Sequence, residues 1–310
     1  MPPRFFGLLM VPGEGERTAN LPPGEATLDI YLRCAATSAR SFAHFGYDWT
    51  LVTDQPDVVR DRCGLLGLEE LAIRGEAFSL GVPADIPFRL AHFKLELLRK
   101  FGSGDFGSCV AVVDLDTVCI APLPPGVDLC QGLTGYRLSA QDGSEETDDR
   151  LSSSLATLLA GAGSREWWGG EFLAGDAAGF AALWEEVGAI WPRYLESWRD
   201  LMHAGDEMVL AAAIQRYRDG GHRLMDAGEA SVVARYWTAR TRHLPRTFRS
   251  LDGVSILHLP ADKAFLARWC ERAFDPAAFR RELGRHVRVR SALRRAAGLL
   301  SSGTHAPRYR

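Results

Sequence analysis

Two carboxylates, Asp114 and Asp116, stand at the end of the apolar run Val110–Val113 in the stretch SCVAVVDLDTVCIAPLP. In a strand, residues i and i+2 share a side, so the pair would aim together. In a helix they would diverge by about 200°. Carboxylates that converge beyond a buried strand repel each other and are poorly solvated. A divalent cation relieves both problems. Carboxylate oxygens suit Mg²⁺ or Mn²⁺, which keep waters and take phosphate oxygens as further ligands. In open α/β sheets, ligands sit beyond the carboxyl ends of the strands. The pair therefore points to a metal–phosphate site. A bare D-x-D also fits two turn caps facing water, but here the chain stays apolar through TVCIAPLP, which favours burial.

The elements around the pair alternate. RFFGLLMVP (4–12) reads as a buried strand ended by Pro12 and Gly13, and TLDIYLRCAATSARSFAHFG (27–46) as a helix stopped by Gly46. DWTLVTDQP (48–56) is a second strand and LEELAIRG (68–75) a weaker third. PFRLAHFKLELLRKFG (87–102) is a helix, with Pro87 in its first turn and Gly102 at its end. Alternation of this kind predicts an α/β fold with a mainly parallel sheet and helices on both faces. The polar segment 139–166 reads as a mobile loop with one short helix. WWGGEFLAGDAAGFAALWEEVGAIW (167–191) reads as strand, turn and helix, AGDEMVLAAAIQRY (204–217) as a helix and GVSILHLP (253–260) as a last short strand.

Over 310 residues, 46% hydrophobic and 24% charged residues give an ordinary globular composition. The net charge of −3 gives no pull towards nucleic acid. The N-terminal apolar run is too short for a membrane span. None of the six cysteines (Cys34, Cys63, Cys109, Cys119, Cys130, Cys270) forms a zinc spacing, and most sit beside apolar residues, which reads as thiols in a reducing cytoplasm. The Ala-, Arg- and Gly-rich style suggests a GC-rich bacterial genome. Residues 280–310 carry nine arginines and no lysine. They read as a solvated basic helix, or as a face for anionic lipid at the inner membrane surface or for a polyanionic acceptor.

FKLELLRKFGSGDFGSCVAVVDLDTVCIAPL resembles the central signature of GT-A fold glycosyltransferases: a helix, a hydrophobic strand, a D-x-D and a hydrophobic segment ending near Pro-Leu. It is most similar to the glycogenin-like and bacterial lipopolysaccharide galactosyltransferase families. The resemblance implies a GT-A type, Rossmann-like fold. One domain would cover 1–270, with a nucleotide-binding half at 1–120 and an acceptor half at 121–270, followed by a basic helical tail at 271–310. It implies Mn²⁺ or Mg²⁺, a nucleotide diphosphate sugar donor, UDP-linked in most of the class, and a retaining course. The acceptor would be a saccharide, a lipid-linked molecule or a small molecule. Asp116 would ligate the metal, and Asp114 the metal or the ribose.

The resemblance extends to other stretches. Gly169-Gly170-Glu171 stands where many relatives have Asn-Ser-Gly, so Glu171 reads either as a sugar-hydroxyl contact or as a strand-end residue facing water. Asp206 and Glu207 open a helix, where an acid also serves as a cap or complements the dipole. In the resembling families such a pair sits beside the anomeric carbon. His258 and Lys263 match a His that completes the metal shell and a Lys that meets phosphate, although this chain lacks the glycine of His-x-x-Gly-x-x-Lys and is one residue shorter. Lys94 faces the diphosphate or solvent. Thr53 and Asp54, and the loop at Val11, Pro12 and Gly13, are nucleotide-site candidates. Trp167 and Trp168 stack on a sugar or fill the core.

Two rivals remain at this level. VVDLDTV also matches the start of haloacid-dehalogenase-type phosphatases, with Asp114 as nucleophile, although that motif opens its domain and here more than a hundred residues precede it. The altered Asn-Ser-Gly segment also suits a protein that binds a nucleotide sugar without turnover.

Overall fold

The computed structural model describes residues 2–13, 25–138, 149–161, 166–238 and 248–301. Val110–Val113, apolar throughout, forms β4, and all four residues are buried. Such a strand needs cover on both faces and neighbours on both edges. It has them: the large sheet runs β3-β2-β1-β4-β7-β6-β8. β1 (Arg4–Leu9), β2 (Trp49–Thr53) and β3 (Ile73–Gly75) lie parallel with β4 on one side. On the other side, β7 (Trp168–Gly175) runs antiparallel to both β4 and β6 (Leu133–Arg137), and β8 (Leu224–Asp226) is parallel to β6. A second sheet holds β5 (Thr117–Cys119), β10 (Ile256–His258) and β9 (Val233–Arg235), in the order β5-β10-β9. The expected α/β architecture with a mainly parallel sheet is present.

The helices are α1 (Glu25–His44), α2 (Pro56–Leu66), α3 (Phe93–Gly102), α4 (Asp149–Leu159), α5 (Ala177–Ser197), α6 (Asp206–Asp219), α7 (Lys263–Ala267) and α8 (Pro276–Ser301). α3 packs on α5, α5 on α6, and α6 on β7. Among the described residues, no helix is long and apolar enough to cross a membrane. Two cores result. The larger lies about the seven-stranded sheet. The smaller joins the three-stranded sheet to α7 and the start of α8 through Val118, Leu257, Phe265, Trp269, Phe279 and Leu283.

Several local expectations change. The helix expected from Pro87 begins only at Phe93, after a short 3₁₀ turn over Arg89–His92. Phe88 takes a left-handed φ of 56°, which breaks the helical path, and its ring stacks on His203. β5, β6, β8 and β9 were not anticipated, because runs of three to five residues give too little of the two-residue period to read. The short helix expected in the polar segment is α4; residues 139–148 and 162–165 lie outside the described residues. The arginine-rich segment is helical to Ser301, and Phe279 and Leu283 bury its first turns in the smaller core; residues 302–310 lie outside the described residues. Cys109 and Cys130 pair as a disulfide across Cα atoms 5.2 Å apart, whereas Cys34, Cys63, Cys119 and Cys270 are buried thiols. A separation of 21 residues gave no sequence signal for that pair.

Gly102 shows how tightly α3 is seated. A Cβ there would lie 3.0 Å from both N and Cα of Ala181 in α5, backbone atoms that cannot swing aside. Gly64 in α2 has nothing within 4 Å of the same position. Gly102→Ala is expected to lower stability by about 1–3 kcal/mol. Gly64→Ala should raise it by up to about 1 kcal/mol through helix propensity. Urea unfolding midpoints of the two variants check the contrast.

Candidate active site

The D-x-D does not lie within one strand. Asp114 follows the last residue of β4 and Asp116 precedes the first of β5, so the motif is the turn by which the chain leaves the large sheet for the small one. The two carboxylates converge because of this turn and not because of strand alternation. Backbone bonds fix it from both sides. Asp114 N–H donates to the Glu171 carbonyl of β7 at 3.0 Å, and Leu259 N–H donates to the Asp116 carbonyl at 3.0 Å. The Thr117 hydroxyl donates to the Asp114 carbonyl at 2.7 Å. Leu115, between the acids, is buried in the larger core.

His258 ends β10, paired with Thr117 of β5, and this register carries its ring to the turn. Its Nε2 lies 3.1 Å from Asp116 Oδ1 and 3.7 Å from Asp114 Oδ2. One ligand atom from each of Asp114, Asp116 and His258 falls within 4.8 Å of the others. Two lysines flank the three. Lys263, the first residue of α7, meets Asp116 Oδ2 at 2.5 Å and donates to the Pro260 carbonyl at 3.1 Å. Lys94 of α3 meets Asp114 Oδ1 at 2.7 Å, the Gly170 carbonyl at 2.8 Å and Asp206 Oδ2 at 3.4 Å.

Burial and charge pull against each other at every one of these groups. Burial favours neutral Asp116, but Lys263 and His258 outweigh it and hold the carboxyl well below its ordinary range. At Asp114 burial prevails over Lys94 and His258, and the pKa is raised. Burial would discharge His258, yet Asp116 and then Glu171 lift its pKa to about 9. Burial also works against the charges of Lys94 and Lys263, and their neighbouring carboxylates hold both above the ordinary lysine value.

The remaining acids meet at a residue the sequence reading missed, Arg235 of β9. Its Nε donates to Glu171 Oε1 at 2.6 Å, and its Nη2 to Glu171 Oε2 at 2.7 Å and to Glu207 Oε1 at 2.6 Å. One signal was present in the sequence: an arginine set among Val232, Val233, Ala234 and Tyr236, on a strand that must bury it, requires acidic partners. Glu171 is 0% exposed and lies within β7, so it is not a strand-end residue facing water, and both its oxygens are taken by Arg235. Glu207 receives a further bond from Trp167 Nε1 at 3.3 Å. Asp206, at the first position of α6, is buried, and its Oδ2 accepts no hydrogen bond among the described residues. Gly170 makes this approach feasible, because a Cβ there would come within 2.8 Å of Asp206 Oδ2 and 3.3 Å of Lys94 Nζ.

The nucleotide-site candidates form a neighbouring group. Asp54 Oδ1 accepts from Val11 N–H at 3.0 Å. Thr53 ends β2, and Val11 and Pro12 follow β1, at the same end of the parallel strands at which Asp114 follows β4. Trp167 and Trp168 are both buried. Behind Lys263, the buried Asp262 accepts from Thr238 Oγ1 at 2.6 Å, His286 Nε2 at 2.7 Å and Arg290 Nη1 at 2.7 Å, which ties α8 to the site.

No family model and no curated protein matches this sequence. Solved structures do. The galactosyltransferase LgtC, in complex with donor and acceptor sugar analogs, is matched over 89% of this chain and 99% of its own, with a TM-score of 0.51 and 12% identity. An active-site mutant of LgtC is matched over 86% and 95%, with a TM-score of 0.50 and 13% identity. At such identity the likeness is one of fold: the chain has the GT-A fold of a glycosyltransferase.

Burial alone would raise the Glu207 pKa, but Arg235 and its other cationic neighbours bring it from 4.5 down to about 2. The folded value lies below the unfolded one. The carboxylate therefore adds stability above pH 4.5, and the contribution is lost as pH falls towards 2. The thermal midpoint of the unsubstituted protein is expected to fall more steeply across that window than that of Glu207→Gln. The corresponding difference in unfolding free energy should reach up to about 3 kcal/mol. Thermal melts from pH 5 to about pH 2 check it.

Proposed function

We propose that this protein is a metal-dependent glycosyltransferase that moves a sugar from a nucleotide diphosphate sugar, UDP-linked, to an acceptor hydroxyl with retention. The observation that carries this reading is the convergence of Asp114, Asp116 and His258 between Lys94 and Lys263, at the carboxyl end of the parallel strands. Two carboxylates and an imidazole within 4.8 Å form a donor set that fits Mn²⁺ or Mg²⁺ better than a soft metal. When bound, such an ion supplies positive charge against the departing diphosphate.

The chain's own residues account for the rest. Lys263 and Lys94 bring charge to the phosphates, and Thr53, Asp54, Val11 and Pro12 line the nucleotide side of residues 1–120. The acceptor oxygen forms a bond to the anomeric carbon as the bond to the diphosphate breaks, and the electron pair of that bond leaves with the diphosphate. Glu207, held by Arg235 and Trp167, is a fixed negative charge for the cationic character that develops at the anomeric carbon. Asp206, with one oxygen free of hydrogen bonds, suits the acceptor proton. Residues 121–270 then form the acceptor half, open to a saccharide, a lipid-linked molecule or a small molecule.

Calorimetric titration of UDP, GDP and TDP, with and without Mn²⁺, tests the reading. UDP is expected to bind with Mn²⁺. Asp116→Asn should weaken that binding by more than the about 10–100-fold typical of an outer-shell loss. Binding that ignores the metal, or no binding of any nucleotide, overturns it. Phosphate release from p-nitrophenyl phosphate would instead support a phosphatase acting through Asp114. Slow release of free sugar from the donor separates an intact catalytic site from a binding protein.

A further inference from the structure

Glu171 is fully buried, carries a charge and touches no open surface, so its position needs a cause. Its Oε1 lies 3.4 Å from His258 Nδ1, on the side of the imidazole opposite the two aspartates. The other nitrogen, Nε2, is the one 3.1 Å from Asp116. An imidazole whose Nδ1 is turned to a carboxylate keeps a proton there, which leaves Nε2 to give its lone pair to a cation. Glu171 is itself held by two parallel bonds from the Arg235 guanidinium, a pairing that fixes the plane of the carboxylate. Arg235 is anchored in turn, because its backbone N–H donates to Tyr136 Oη at 2.8 Å. It lies on β9, beside the strand that carries His258, with Arg235 directly opposite His258 in the register. Each link in this series is oriented by the next.

We propose that Glu171, clamped by Arg235, is a positioning residue that turns His258 so that Nε2 faces a divalent cation shared with Asp114 and Asp116. This rests on the metal-site reading above and extends it to residues outside the ligand set. It also explains the departure at Gly169-Gly170-Glu171: the acid is directed inward to the imidazole, and the glycines before it leave room. A Cβ on Gly169 would collide with the Glu171 carboxylate itself.

The test is calorimetric binding of Mn²⁺ alone to the full-length chain, with pulsed electron paramagnetic resonance of the bound ion to read its coupling to imidazole nitrogen. His258→Ala, which removes the coupling, shows what loss of the ligand looks like. Glu171→Gln keeps the shape and removes the charge. It is expected to weaken Mn²⁺ about 10-fold, within the about 10–100-fold range for an outer-shell partner, and to alter the nitrogen coupling. Because Glu171→Gln leaves the Arg235 charge without its full partner, the double substitution Glu171→Gln with Arg235→Met, which removes both charges, is measured beside it. It should show the same loss. If the unsubstituted protein binds Mn²⁺ and either folded variant binds it equally well with unchanged coupling, the role of Glu171 is overturned while the metal site stands. If the unsubstituted protein binds no Mn²⁺, the metal-site reading falls and this inference falls with it.

Discussion

Like charges buried close together repel, and the seam between the two sheets is arranged around that repulsion. Asp114, Asp116, Glu171, Asp206 and Glu207 all point into one region, where Asp116, Glu171 and Asp206 are buried and Asp114 and Glu207 half-buried. Lys94, Lys263 and Arg235 answer them through contacts of 2.5–3.4 Å, and His258 Nε2 lies 3.1 Å from Asp116. A buried ion pair that loses one partner leaves a costly orphan. The groups therefore depend on one another, and moving one requires the rest to move.

This dependence explains why so many elements end at the same place. β4 delivers Asp114, β10 delivers His258, β7 delivers Glu171, β9 delivers Arg235, and the first turns of α6 and α7 deliver Asp206, Glu207 and Lys263. The close seating of Gly102 on α5 fixes the helix that brings Lys94. The small sheet has only three short strands, yet it carries both His258 and Arg235 to the acids. The preorganisation on which electrostatic stabilisation rests is here a property of two sheets joined by one turn.

The sequence showed the centre of this arrangement more clearly than its surroundings. Val110–Val113 announces a strand buried on both faces, and a carboxylate pair at its end is an anomaly that calls for a ligand. His258 and Lys263 could be placed only by resemblance, because a lone histidine at the end of a short strand has many uses. Arg235 passed unnoticed, since β9 has three residues and no local pattern pairs an arginine with acids 64 and 28 positions away. The turn geometry of the D-x-D was hidden for a related reason. β4 and β5 are consecutive apolar runs, and sequence alone does not say that they belong to different sheets.

The clamp on Asp262 has a consequence for the chain as a physical object that can be shortened. His286 and Arg290 reach back from α8 to a carboxylate that has no exposed surface and sits one residue before Lys263. A truncation that stops ahead of Arg290 does more than trim an appendage. It removes a hydrogen-bond partner of Asp262 directly behind the lysine that meets Asp116. What looks in one dimension like a detachable basic extension is, as far as Arg290, in three dimensions part of the back wall of the site.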